Sequence, residues 1–375
     1  MRLNKEKIIA LIIKVIYIFV IFGFIFPKVG NLVDNYLIFI LFFLNLFIYL
    51  SYNVKVKRVY CIFIVPIIIL IILFSVLSLS GIGSYMNFLN LIIMTIVTQK
   101  AKFKEKDYKA ITVLSLILLI VLCVKSTFVW KNFELNKEDT NPNVLAQSIV
   151  LCFGIVCTGI NQILDNSRSK KIILIINIIV VCSVYLCNSR NALVTILVFS
   201  ISLFFENIEK IINRHLKKIL VAIIIAGIII PIMYVLMNDN NVEIEIFIIN
   251  KSFFTGRETL WKNMIDSLNE KKVGYLIGLG SHNETKIGII KNTHSWYLGM
   301  VYLFGIPMTI FYYAFLINNF KNIKSNFIKI SIISVFLIGI FETSALWTNS
   351  QFLIFILLLL DNYYNGKKEN TNARK

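Results

Sequence analysis

The chain has 375 residues, of which 58% are hydrophobic and 15% charged, and its formal net charge is +18. A water-soluble enzyme of this length carries more charge and fewer unbroken apolar runs, so that class is excluded. A nucleic-acid partner is excluded as well, because the basic residues sit in short clusters between apolar runs.

A run of roughly 18 to 20 apolar residues is long enough to cross hydrocarbon as a helix. Hydropathy predicts spans near 8–26, 34–52, 60–79, 85–98, 110–125, 144–164, 172–187, 191–205, 219–237, 295–317, 330–342 and 352–363. The expectation is therefore an all-α, polytopic membrane bundle of about twelve spans, with residues 1–375 forming a single integral membrane domain. The first run follows "MRLNKEK" and lacks a small-residue cleavage site, so it reads as a span that is kept. With the N-terminus inside, lysines and arginines concentrate in the inner segments, such as Lys100–Lys109, Lys210–Lys218 and Lys321–Lys329. That bias predicts cytoplasmic N- and C-termini, with anionic lipid as the partner of the positive charge. No linker, low-complexity block or internal repeat appears.

Two polar segments fall on the predicted outer side, Lys125–Asn143 and the much longer 238–293. Within the second, "TGRE" (Thr255 to Glu258) fits a capping box, in which the Thr hydroxyl and the Glu carboxylate satisfy each other's backbone N–H groups. Leu260, Trp261, Met264, Ile265 and Leu268 then recur at helical spacing, opposite Lys262, Asn263, Asp266 and Asn269. This predicts an amphipathic helix lying on the outer membrane surface, with Trp261 at headgroup depth. Arg257 falls in its first turn, where free N–H groups and a guanidinium together attract an anion.

Arginine is scarce, with seven against 31 lysines, and only Arg190 and Arg257 are predicted to face outward. Each has a plain reading as a side chain that reaches lipid phosphate or solvent, beside the reading as a grip on a fixed anion. His294 stands at the outer mouth of the tenth span, where it either caps a helix or positions a proton in a partly dry site. His282 is a loop residue and His215 is predicted inside. Glu342 lies at the outer end of the eleventh span, where an unpaired carboxylate would be expensive, so it is either an acid–base group or a partner for Arg190 or Arg257. Gly278 and Gly280 form G-x-G without a preceding strand, which is a weak signal and not a dinucleotide fingerprint. All six cysteines (Cys61, Cys123, Cys152, Cys157, Cys182 and Cys187) fall in predicted spans, where they read as small core residues. No metal-ligand spacing is present apart from the adjacent Glu138 and Asp139, which support a metal only weakly.

Four segments in order resemble the O-antigen ligase and polymerase family, which includes Wzy-type capsular polysaccharide polymerases. They are "DTNPNVLAQSIV" (139–150), "NSRNALVTILV" (188–198), the long loop with "GRETLW" and "GLGSHN", and "NTHSWYLGMVYLFGIP" (292–307). The resemblance covers roughly residues 140 to 360 and implies a C-type membrane glycosyltransferase. Such an enzyme works at the outer face of a bacterial plasma membrane on polyprenyl-diphosphate-linked saccharides, without a nucleotide sugar; two outward arginines beside no ligand cluster point to a reaction that needs no metal, and no cofactor is expected. It further implies that Arg190 and Arg257 engage the lipid diphosphate and that His294 lines the same site. The family's usual His-Asn pair reads His294-Ser295 here, so no asparagine role carries over from it.

That chemistry needs preorganised cations for the departing diphosphate and a base for the attacking hydroxyl. The candidate catalytic residues are thus His294, Arg257 and Arg190, with Glu258, Glu342 and Trp261 as further substrate contacts and Glu258 and Glu342 as alternative bases. The polymerase reading, acting with a flippase and a chain-length regulator of the same pathway, stands beside a ligase that moves a finished glycan to another acceptor. A third reading, a flippase or transporter for lipid-linked saccharides, would need charged residues spread through the spans.

Overall fold

Unbroken runs of Ile, Leu, Val and Phe become helices in a hydrocarbon environment, because every backbone N–H and C=O must find its partner within the segment. The computed structural model describes residues 5–52, 65, 69, 82–98, 104–132, 141–164, 166–240, 245–246, 251–252, 257–280, 284–285, 288–289, 293–343 and 350–361. In chain order these form α1 (Lys5–Ile25), α2 (Pro27–Ser51), α3 (Ile82–Val97), α4 (Glu105–Asn132), α5 (Pro142–Ile163), α6 (Asn166–Leu186), α7 (Arg190–Phe204) and α8 (Glu206–Asp239). There follow β1 (Glu245–Ile246), β2 (Lys251–Ser252), α9 (Arg257–Glu270), α10 (Gly274–Ile277), β3 (Glu284–Thr285), β4 (Gly288–Ile289), α11 (Trp296–Phe320), α12 (Asn326–Ile338) and α13 (Ser350–Asp361). Strands β1–β2 and β3–β4 are two-residue antiparallel pairings inside the 238–293 segment.

Six of the described helices are long and apolar enough to cross a membrane: 6–25, 105–128, 142–163, 167–186, 207–239 and 296–320. Shorter apolar helices accompany them, and the protein reads as a multi-pass membrane protein. The expected span at 60–79 lies outside the described residues apart from positions 65 and 69, as do Cys61, His282, Glu138 and Asp139. Each of the other expected spans overlaps a helix among the described residues.

The bundle is built around α5, whose side chains from Leu145 to Ile160 are all buried. Helices α4, α6 and α12 pack directly on it. A Cβ added at Gly159 would lie 2.3 Å from the Thr112 hydroxyl, and one at Gly154 would lie 2.0 Å from that of Ser331. Small residues therefore set the close approach of α4 and α12 to α5, as in membrane bundles generally. The outer faces of α1, α4, α6 and α7 remain exposed through residues such as Phe19, Ile120, Ile175 and Val194, the continuous apolar surface that lipid would cover. Lys14, which the hydropathy reading leaves inside the first span, meets Asp107 at 2.6 Å, and Tyr17 meets Ser115 at 2.8 Å, so α1 and α4 are joined by polar contacts along their length.

Two boundaries differ from expectation for a common reason. The basic stretch Lys210–Lys218, expected as an inner loop, is helical and belongs to α8, which bends at His215 (φ −124°). Ile212, Leu216 and Leu220 are buried at four-residue spacing while the lysines face out, a pattern that hydropathy averages away. Likewise α4 runs on to Asn132, so the first part of the expected outer loop 125–143 is helix. The Ser126 and Thr127 hydroxyls there donate to carbonyls one turn back.

The larger correction concerns α9. Its apolar face is the one expected, but the protein's own helices cover that face, and Trp261 is not offered to headgroups. Trp261 and Met264 have no exposed surface and Leu268 has 1%; they pack against Tyr234 of α8 and Leu298, Val301 and Tyr302 of α11. The Trp261 indole N–H donates to the Thr293 carbonyl at 2.9 Å, and its ring lies edge-on to Tyr234. An indole whose N–H is already satisfied inside the protein gains nothing from headgroups, so the apolar face closes on its own bundle.

Gly278 has its explanation in the same region. Helix α11 breaks at Gly305 (φ 77°), two residues before Pro307, and Gly278 (φ 82°) packs backbone to backbone against this break. A Cβ at Gly278 would sit 2.2 Å from the Leu303 carbonyl oxygen. Leu279 N–H donates to the Tyr302 carbonyl at 2.8 Å, so the G-x-G is a docking element between α10 and α11.

Candidate functional site

The site is organised by the end of α12. A helix leaves its last carbonyls without partners, and these must be satisfied from outside. Here the Asn191 side chain, in the first turn of α7, donates to the Ile338 carbonyl at 2.8 Å. The Trp296 backbone N–H, at the start of α11, donates to the Gly339 carbonyl at 2.8 Å. Those two bonds bring Arg190, one residue before Asn191, and His294, two residues before Trp296, to the place where the chain leaves α12 through Phe341 and Glu342.

Glu342 is the hub, with only 2% of its side chain exposed. Its Oε1 accepts from Arg257 Nη2 at 2.5 Å and from Asn143 Nδ2 at 3.1 Å. Its Oε2 lies 3.5 Å from His294 Nδ1, an ion pair whenever the imidazole is protonated. Three groups far apart in sequence thus converge on one carboxylate. A buried carboxylate held only by apolar neighbours would be costly; this one has a guanidinium and an amide as direct donors.

Each partner is held in place by its own element. Asn141 caps α5, accepting from the Asn143 N–H at 3.0 Å with Pro142 at the first helical position, and this presents the Asn143 side chain. Arg257 is the first residue of α9, which the burial of Trp261 fixes against α8. His294 adopts a left-handed backbone (φ 48°) immediately before Ser295, which caps α11 by accepting from Leu298 N–H at 3.3 Å. A non-glycine residue in that region costs on the order of 1–3 kcal/mol, a strain that recurs where a side chain must be aimed.

Arg190 opens α7 after a turn in which Asn188 is also left-handed (φ 53°). The charges of Arg190, Arg257 and Glu258 all act on the Tyr234 phenol, which places the four groups around one end of the bundle. Tyr234 and Phe341 stand against Trp261 and form the apolar wall behind them. Glu258 is buried at 8% exposure, and Thr255, its expected capping partner, lies outside the described residues. Trp261 shows no exposed surface to a ligand. At the outer edge Lys262 bonds Asp239 at 2.6 Å, and this hydrogen bond raises the lysine's pKa.

Arg257, His294 and Glu342 are therefore brought into direct contact, with Arg190 and Glu258 nearby. Asn143, Tyr234 and Phe341 were not singled out from the sequence. Asn143 had a local signal, since a capping Asn followed by Pro presents the next side chain at the helix start; Tyr234 and Phe341 had none within their apolar runs. Arg257 makes no hydrogen bond among the described residues except that to Glu342, which leaves the rest of its planar fork directed elsewhere. Among the described residues no group of three metal-ligating side chains occurs. No protein-family model, curated protein or solved structure matches this chain.

Proposed function

We propose that this protein is a membrane glycosyltransferase that moves a glycan from a polyprenyl diphosphate to the hydroxyl of a second lipid-linked repeat unit, building a cell-envelope polysaccharide. The observation that carries the reading is the convergence of Arg257, His294 and Asn143 on buried Glu342 at one end of the bundle. The topology that suits it has about twelve spans, cytoplasmic termini and residues 238–293 outside, so that this end meets substrate at the outer face of a bacterial plasma membrane. A flippase and a chain-length regulator of the same pathway would be its partners.

In this reading the acceptor hydroxyl attacks the anomeric carbon as the bond from that carbon to the diphosphate oxygen breaks. His294 takes the hydroxyl proton on the ring nitrogen turned away from Glu342. Arg257 and Arg190 meet the charge that develops on the departing diphosphate. Preorganised cations in a low-dielectric site do this without reorganising at the moment of reaction. Glu342, almost wholly buried, is better suited to aim Arg257 and His294 than to touch a sugar. The plain reading of Arg257 as a side chain stretching to lipid phosphate fits poorly with a 2.5 Å bond to that carboxylate.

Incubation of purified protein with one lipid-linked repeat unit tests the proposal. A ladder of products on a gel supports polymerisation. A single transfer to an added foreign acceptor would mark a ligase, and no transfer with any donor would remove the enzymatic reading.

A further inference from the structure

The helices that build the Glu342 site have a second end, and a cavity of about 390 Å³ lies there. Asn161 lies in the last turn of α5, Lys170 in the second turn of α6, Ser202 in the last turn of α7 and Glu209 in the first turn of α8, while Ser325 and Asn326 start α12; all line this cavity. Helix α5 has 22 residues, so at 1.5 Å per residue its two ends lie about 33 Å apart, close to a hydrocarbon thickness. The connections at this end are short: residues 164–165, residue 205 and residues 321–325.

The lining has both signs of charge and an apolar side. Lys170 brings an ammonium and Glu209 a carboxylate, the latter accepting from the Asn326 amide. Asn161 Oδ1 accepts from Ser169 at 3.3 Å, and its amide nitrogen has no partner among the described residues. Leu174 and Phe204 line the cavity and are also 40% and 54% exposed on the outer surface of the bundle, so the apolar wall continues outward to where lipid would lie. Its volume falls within the roughly 300–1,000 Å³ of ordinary ligand pockets. A simple anion would meet Glu209 unfavourably and a simple cation would meet Lys170; a zwitterion satisfies both.

We propose that this cavity seats the zwitterionic headgroup of a phospholipid bearing a primary amine. The phosphate lies against Lys170, the ammonium against Glu209, and the acyl chains leave past Leu174 and Phe204. A primary ammonium has N–H donors for a carboxylate, whereas a trimethylated one has none. The site is independent of the glycosyl-transfer reading and is tested without it.

The experiment is native mass spectrometry of the purified protein with equimolar phosphatidylethanolamine, phosphatidylcholine and phosphatidylglycerol of identical chains. Wild type should retain one phosphatidylethanolamine about tenfold more tightly than the other two, as one charge-assisted hydrogen bond allows. Glu209→Gln should erase that preference, and Lys170→Gln should weaken all three lipids. Lys171→Gln, an exposed neighbour outside the cavity lining, should change nothing. Equal retention of the three lipids by wild type would overturn the proposal, as would a loss in Lys171→Gln equal to that in Lys170→Gln. Displacement of the lipid by an equimolar amount of soluble phosphoethanolamine would overturn the lipid as its source.

Discussion

The two ends of α5, α7 and α12 solve opposite problems with similar residues. At one end Asn143, Arg257 and His294 close on Glu342, and the last carbonyls of α12 are taken up by Asn191 and the Trp296 N–H. At the other, Lys170 and Glu209 line a cavity that short connections leave open. The first end spends its polar groups on fixing one another, which is what aiming a catalytic group requires. The second sets Lys170, and a Glu209 that the Asn326 amide already holds, at a cavity whose wall runs out to an exposed apolar surface. Charge alone does not separate the two; what separates them is that one end closes on a buried carboxylate while the other lines a cavity.

The strongest way to break this comparison is to remove the hub. Glu342→Ala strips Arg257 of its buried partner, and breaking such a pair typically costs on the order of 3–5 kcal/mol. The thermal midpoint in detergent should fall sharply and transfer should be lost, whereas Lys170→Gln at the other end should leave both intact. An unchanged midpoint in Glu342→Ala would mean that the convergence is incidental.

Gly278→Ala comes next. The residue sits at φ 82° with the Leu303 carbonyl 2.2 Å from any Cβ, and the neighbour is backbone that cannot swing aside. A loss of about 1–3 kcal/mol is expected, and limited proteolysis should cut between α10 and α11 first. Wild-type protease resistance would contradict the docking role.

Asn143→Ala removes one donor to a carboxylate, for which about 2 kcal/mol is the usual scale. The informative readout is the rate of transfer at a temperature where the variant is fully folded, because a less constrained Glu342 aims Arg257 and His294 less well. A rate equal to wild type would show that Asn143 does not help to position the pair. The smallest effect is expected from Lys262→Ala at the solvent edge: its bond to Asp239 is exposed, and both the thermal midpoint and the transfer rate should be unchanged.

Much of this architecture was legible from hydropathy, because apolar runs of membrane length have one available conformation. Arg257, His294 and Glu342 could be chosen because charged or titratable residues at span ends are expensive without a use or a partner. Their meeting was not legible: Asn143 and Glu342 are far apart in sequence, and the bonds that join them follow from how α5 and α12 pack. The setting of α9 was missed for a related reason. An amphipathic helix shows which face is apolar, but not whether lipid or protein covers it, and Trp261 is buried because Thr293, Tyr234 and Phe341 happen to lie behind it. The helical start of α8 was hidden by its own lysines.

The central claim is that Arg257, aimed by Glu342, grips the departing diphosphate through its planar fork. The most direct measurement is the rate of ladder formation from a lipid-linked repeat unit by purified wild type, Arg257→Lys and Arg257→Ala, each first shown to be folded and inserted. Arg257→Ala should be slower by about 100-fold or more, the usual scale for losing one preorganised transition-state contact. Arg257→Lys should be much impaired as well, since it keeps the charge and loses the paired donors. Wild-type rates from a well-folded Arg257→Ala protein would contradict the account, leaving Arg257 as a structural partner of Glu342 and nothing more.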